Sequence, residues 1–243
     1  MASITRFLFP LFGLSLLATG CDDHVVAEIE RSLPLAAQTQ RLLLDNEAGD
    51  LVVEGEDRED IFVEVEVYGP AREDERTHRR VADDVQIRIE EIDETTRRLV
   101  AELGPAPEGY SIDVTVHMPR RLALSLHDGS GDLVVEGVAS LQLHDGSGDA
   151  SIFDIAGDVH IDDDSGDIAI AGIGGDLRLT DESGDIGIAD CDGDVDIVDG
   201  SGDMGLVDIA GTVTIEDGSG DIGVVDAGDV DIVRDDSGDV GIS

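Results

Sequence analysis

SGDIGIADCDGDVDIVDGSGD, residues 183–203, holds one full period of the pattern that decides the fold. Its first SGD ends at Asp185 and its last at Asp203, 18 residues later. The phrase recurs as DGSGD at 128–132, 145–149, 199–203 and 217–221, and with its second residue changed from Asp163, Asp181 and Asp235. Its closing Asp residues are 132, 149, 167, 185, 203, 221 and 239, spaced by 17 once and by 18 five times. A tandem repeat of this length points to a solenoid.

A weaker signal divides each period. AGD, GGD, DGD, AGT and AGD end at Asp158, Asp176, Asp194, Thr212 and Asp229, nine residues after the preceding SGD in four cases and eight in the last. Each coil is therefore two half-turns, a glycine corner followed by a short strand. After the corners, apolar residues alternate: Ile186 and Ile188, Val195 and Ile197, Met204 and Leu206, Val213 and Ile215, Ile222 and Val224. Period-two alternation marks a strand with one buried face; Gly187, Asp196, Gly205, Thr214 and Gly223 then face outward. The expected fold is all-β, a two-sheet parallel β-solenoid with 18-residue coils stacked about 4.8 Å apart. A left-handed hexapeptide helix also repeats at 18 but requires an apolar residue every six, and here the subdivision is nine. Ile155, Ile173, Cys191 and Ile209 occupy equivalent places before the second corner, so Cys191 reads as a buried small residue in an apolar column.

Residues 128–243 form the repeat region, and residues 38–127 a β-rich N-terminal region that covers the first coil, because a solenoid needs its open end shielded. RLLLDNEAGDLVVEG, with Gly49 and Asp50 at its corner, is similar to one coil of the array. IFVEVEVYG, VQIRIEEI, RRLVAEL, YSIDVTVHM and RLALSLH alternate as strands, and PAREDERTHRRVADD reads as a short helix or charged loop. At the other end the sequence stops at Ile242 and Ser243, halfway round a coil, which predicts an exposed strand edge and self-association through it.

Composition narrows the function. Hydrophobic residues make up 41% but aromatics only 3%, so the core is built of Ile, Val, Leu and Ala. The formal net charge is −42, with 57 acidic residues against 15 arginines and no lysine. That field repels nucleic acid and anionic headgroups, which excludes DNA, RNA and electrostatic membrane binding. The segment MASITRFLFPLFGLSLLATG, residues 1–20, carries Arg6 and then a short apolar run, the pattern of a secretory signal peptide. Its LLATGC ending resembles a bacterial lipoprotein signal, although Ala18 stands where that family usually has Leu. The resemblance implies cleavage before Cys21, lipidation of its sulfur and attachment to the membrane through that anchor, with residues 21–37 as the linker. It places the protein in the bacterial cell envelope, periplasmic or surface-exposed.

The strand VTVHMPRRLALSLHDGSGD and the SGD and GD corners that follow resemble the bacterial "putative adhesin" family of β-strand-repeat domains of unknown function, over residues 38–243. The resemblance implies a solenoid with an envelope or surface location. It brings no catalytic residues.

In-register stacking would align the repeated acids in two columns: Asp128, Asp145, Asp163, Asp181, Asp199, Asp217 and Asp235, and Asp132, Asp149, Asp167, Asp185, Asp203, Asp221 and Asp239. Charges about 4.8 Å apart repel by roughly 0.9 kcal/mol in water and about 3.5 kcal/mol at an effective dielectric of 20, so something must offset them. On one reading, Asp and Ser side chains accept backbone N–H bonds in the turn while Gly supplies positive φ. On the other, the fourteen carboxylates hold a ladder of Ca²⁺ ions, as in a β-roll. Against that stands DGSGDMGLV, where the nonapeptide roll wants Asp at Met204 and this sequence has it at Asp203. Ca²⁺ is the one cofactor the corners invite.

The repeated serines have no base beside them, and His127, His144 and His160 are not repeated in later coils. Arg178 near Asp162 and Glu182 reads as a surface ion pair. The expectation is a noncatalytic envelope lipoprotein, a scaffold or adhesin-like module for an envelope polymer or protein, with a Ca²⁺-dependent module as the alternative.

Overall fold

A computed structural model describes residues 23–243; the expected signal peptide, residues 1–20, and Cys21 lie outside the described residues. The chain forms β1 (Asp23–Leu33), β2 (Arg41–Asn46), β3 (Leu51–Glu56), β4 (Ile61–Pro70), helix α1 (Glu75–Asp83), β5 (Gln86–Glu91), β6 (Thr96–Glu102) and β7 (Ser111–Pro119). The repeat then supplies β8 (Ala123–Asp128), β9 (Leu133–Glu136), β10 (Ser140–Asp145), β11 (Ala150–Ile155), β12 (Val159–Asp163), β13 (Ile168–Ile173), β14 (Leu177–Asp181), β15 (Ile186–Cys191) and β16 (Val195–Asp199). The last strands are β17 (Met204–Asp217), β18 (Ile222–Asp235) and β19 (Val240–Ile242).

Parallel pairing between successive coils builds the expected two-sheet solenoid. In the first sheet β8, β10, β12, β14, β16 and the second halves of β17 and β18 stack in order. In the second, β9, β11, β13, β15, the first halves of β17 and β18, and β19 do the same. β17 and β18 run 14 residues each and turn the second corner without a break. Equivalent residues of successive coils face one another: Ile152, Ile170, Ile188, Leu206 and Val224 form one inward row. All five are buried, and each such side chain contributes about 1.5–3 kcal/mol.

The N-terminal region continues the stack out of sequence order. β2 and β3 form a true coil, pairing with β8 and β9 in register, Asn46 opposite Asp128 and Leu51 opposite Leu133. β6 and β7 lie on their other side, also parallel. Antiparallel β5 closes the first sheet, and antiparallel β4 and then β1 close the second. The chain thus leaves its first coil at residue 57, builds the cover and returns at Ala123 beside β2. β8 itself ends at Asp128, where the expected repeat region begins.

Two expectations are refined. The charged segment is a helix, with Asp74 accepting from the N–H groups of Arg76 and Thr77 as its N-cap. Residues 23–33, expected within a linker covering 21–37, form β1 on the free edge of β4, because Ala27, Ile29 and Leu33 alternate and pack against the core.

Before the second corner, Asp154, Asp190, Asp208 and Asp226 take φ of 53–59° and Gly172 takes 76°, a left-handed kink that adds one residue to the alternation. The kink turns Ile155, Ile173, Cys191 and Ile209 inward as an apolar column. Burial pushes the Cys191 thiol up, so it packs as a small apolar residue. At the other end β19 has β18 as its neighbour, and Val240 and Ile242 are exposed.

Candidate functional site: acid corners and an outer groove

The two acid columns have opposite environments. The SGD aspartates are exposed at the turn, and each takes part in a ladder between coils: the Oδ1 of one accepts the backbone N–H of the next. Asp203 N–H bonds Asp185 Oδ1 at 2.9 Å, and Asp221 and Asp239 repeat the bond onto Asp203 and Asp221. The ladder extends down through Asp167, Asp149 and Asp132 to Asp50 and Asp113. A shorter one at the second corner links Asp158, Asp176, Asp194 and Thr212. Gly202, with φ of 154°, lies so close to the coil below that a Cβ there would meet Gly184 O at 1.7 Å. Only glycine permits this stacking.

The first aspartates of the phrase end the first-sheet strands pointing inward. Asp128, Asp145, Asp163, Asp181, Asp199 and Asp217 are 0–4% exposed, a file of buried carboxyls one coil apart. Asp181, Asp199 and Asp217 each accept the N–H of the serine two residues on, at 3.0–3.2 Å. Their Oδ2 atoms, Asp128 Oδ2 and both oxygens of Asp145 and Asp163 have no hydrogen-bond partner. Burial first, and then the charges of neighbouring aspartates, push Asp145 to about 6 and Asp163 and Asp199 to about 7. Burial also raises Asp128, Asp181 and Asp217. Burial and mutual repulsion thus favour the protonated form along the file, and its members titrate together.

Asn46 begins this file and was not singled out from sequence. Its Nδ2 donates to Asp128 Oδ1 at 2.6 Å and to Gly49 O at 2.9 Å. Aligning NEAGD at 46–50 with DGSGD would have found it. The SGD carboxylates accept backbone N–H groups of the next coil, and the first aspartates of the phrase are buried acids. Among the described residues, three metal-ligating side chains converge only at Glu54, Glu56 and His117, outside both columns.

The remaining candidates are local. His127 and His144 stack with ring centroids 4.9 Å apart on adjacent rungs. Arg178, expected near Asp162 and Glu182, instead bonds Asp196 Oδ2 at 3.2 Å, because the register places Asp196 on the adjacent rung of the same outward row. That row runs Ser125, Gln142, His160, Arg178, Asp196 and Thr214, one side chain per coil. It lines an open groove of about 800 Å³ along the outer face of the first sheet, with Arg41 at one end and Asp158, Asp176 and Asp194 along its margin.

These features define a class: a noncontiguously capped, two-sheet β-solenoid with acid-based corner ladders. The chain belongs to the Toastrack DUF4097 family, whose model matches residues 39–243. Among solved structures it is similar to a "putative adhesin" from Bacteroides fragilis, at 13% identity and a TM-score of 0.60, covering 89% of this chain and 97% of that one. It is also similar to a "putative lipid binding protein" from Parabacteroides distasonis (13% identity, TM-score 0.46, 89% and 95% covered). A "putative adhesin" from Parabacteroides merdae shows 12% identity and a TM-score of 0.45, with 88% and 95% covered. No curated protein matches the chain significantly. Among the described residues, no helix is long and apolar enough to cross a membrane.

Proposed function

We propose that the protein is a noncatalytic cell-envelope lipoprotein, anchored through Cys21, whose solenoid is an adhesin-like scaffold for an envelope polymer. The observation that carries this reading is the groove on the first sheet. It presents one polar side chain per rung, from Ser125 to Thr214, at the regular spacing of the strands, which suits a repeating ligand lying along the axis. His160 and Arg178 stand in it with Arg41 at one end, among Asp158, Asp176, Asp194 and Asp196, so the groove offers hydrogen-bond donors as well as acceptors and suits a hydroxylated, uncharged polymer better than an anionic one. The adhesin name carried by the Bacteroides fragilis structure points the same way.

The test is cosedimentation of the full chain with isolated envelopes, alongside Arg178→Glu with Gln142→Glu and, in cells, Cys21→Ala. The expected result is binding that the groove variant reduces at least about tenfold, roughly 1.4 kcal/mol, and release of Cys21→Ala from the membrane fraction. Binding unchanged in the groove variant overturns the binding surface; unchanged membrane association overturns the anchor.

A further inference from the structure

On the outer face of the second sheet, at the capped end, four side chains from three strands meet at one imidazole. Glu54 and Glu56 project outward from β3, His117 stands opposite Glu54 on β7, and Glu64 reaches in from β4. Glu54 Oε2 and Glu56 Oε1 each lie 3.0 Å from His117 Nδ1, and Glu64 Oε2 lies 3.0 Å from Nε2. The three oxygen and nitrogen atoms of Glu54, Glu56 and His117 all lie within 4.8 Å of one another.

The surroundings hold this geometry. Arg58 Nη1 grips the other Glu56 oxygen at 3.1 Å, which leaves Oε1 facing the imidazole. Phe62 packs beside the His117 ring, centroids 5.8 Å apart, and carries the Arg58 guanidinium 5.6 Å from its own centroid. The His117 side chain is only 16% exposed. Carboxylates on neighbouring strands repel, and Glu136 on β9 adds another acid beside Glu54.

We propose that Glu54, Glu56 and His117 form a binding site for a divalent transition-metal ion of the zinc class, with Glu64 accepting the Nε2 proton. The donor set selects the ion: one imidazole nitrogen with two carboxylates suits zinc, whereas Ca²⁺ and Mg²⁺ favour oxygen-only cages. At metal–ligand distances of about 2.0–2.1 Å, tetrahedral ligand atoms sit about 3.3 Å apart, so the atoms now 3.0 Å apart need to spread by about 0.3 Å. Glu64 supplies the carboxylate that fixes ring orientation in many metal-bound histidines. Charge favours the ion as well. Glu54, Glu56 and Glu64 converge on one ring, Glu136 adds to them and Arg58 is shared between Glu56 and Asp60, so a divalent ion offsets more of this negative charge than a single proton on His117 can.

The experiment titrates Zn²⁺ into the full chain by calorimetry, with Ca²⁺ in excess and about 0.15 M NaCl to occupy the diffuse acidic surface. His117→Gln, Glu54→Gln with Glu56→Gln, and Glu64→Gln are titrated in parallel, and Co²⁺ substitution reports coordination by its visible spectrum. The expected result is one Zn²⁺ per chain that Ca²⁺ does not displace and a tetrahedral Co²⁺ spectrum. Binding is lost in the first two variants and weakened about 10–100-fold in Glu64→Gln. Matching far-UV circular dichroism shows that the variants fold; a variant that does not fold is replaced by His117→Asn. Zinc that Ca²⁺ displaces, or binding that survives His117→Gln, overturns the site.

Discussion

Asp199 lies mid-file in the buried acid column, and replacing it by Asn tests how the fold tolerates that column. The folded-state pKa is raised from 3.8 to about 7, by burial and then by the charges of Asp181 and Asp217. A raised carboxyl contributes stability that is fully present below its unfolded pKa and is lost as pH rises through the folded value. The window therefore runs from about pH 4 to pH 7. A shift of roughly three pH units corresponds to about 4 kcal/mol of stability missing at pH 8, an upper bound because the neighbours share the charge. Asn keeps the shape and the acceptor for Ser201 N–H, now bonded at 3.2 Å, and carries no charge. The chain already places an amide at the head of the same file, where Asn46 donates to Asp128. Asp199→Asn is thus expected to stabilise by about 2–4 kcal/mol at pH 8 and by less than about 0.5 kcal/mol at pH 4. Urea unfolding followed by far-UV circular dichroism at pH 4, 6 and 8 measures this, with each pH run in EDTA, in Ca²⁺ and in NaCl of matched ionic strength. Equal offsets at pH 4 and pH 8, or a loss at pH 8, would refute the proton-holding reading. A gain at pH 8 specific to Ca²⁺ and abolished by Asp199→Asn would show instead that the file holds ions.

Two further substitutions probe the architecture. Asp185→Ala removes the acceptor for Asp203 N–H, now at 2.9 Å, and should be less stable than Asp185→Asn by about 1 kcal/mol in thermal or urea unfolding; equal stability would mean that the exposed ladder contributes nothing. Ile188→Asp puts a carboxylate between Ile170 and Leu206 in a narrow core, and should cost more than about 4 kcal/mol or abolish the unfolding transition; a variant that melts like the parent would mean that the inward face is misassigned.

The repeat was legible because it satisfies several constraints at once. Strict alternation fixes the inward face, and glycine at the corner is required where the coil below leaves no room for a Cβ, as at Gly202. The sequence also shows Asp where a backbone N–H needs an acceptor, yet it does not separate the two columns. Both are Asp at fixed spacing, and their burial depends on which side of the corner the strand ends. Asp199 closes β16 with its side chain toward the core, whereas Asp203 stands just before β17 on the outside. The kink at Asp190 was hidden too, because it appears in the sequence as one extra residue between Ala189 and Cys191. The cap was legible as strands but not as a topology. Parallel partners such as Leu51 and Val114 are 63 positions apart, and local patterning carries no record of which strand lies between which.

The same physics explains why the His117 cluster escaped a sequence reading while the corners drew attention. Repetition multiplies a turn-forming residue and makes it conspicuous, since each coil must satisfy the same backbone groups. A ligand site needs one copy, assembled where the repeat is broken. Glu54, Glu56, Glu64 and His117 sit at ordinary outward positions of three alternating strands, and only the reversal of β4 against β7 brings Glu64 and Phe62 to the imidazole that β3 faces from the other side. In this fold the uniform array supplies length and the groove, and the chemically distinctive cluster arises in the cap, where strands of different origin and direction are forced side by side.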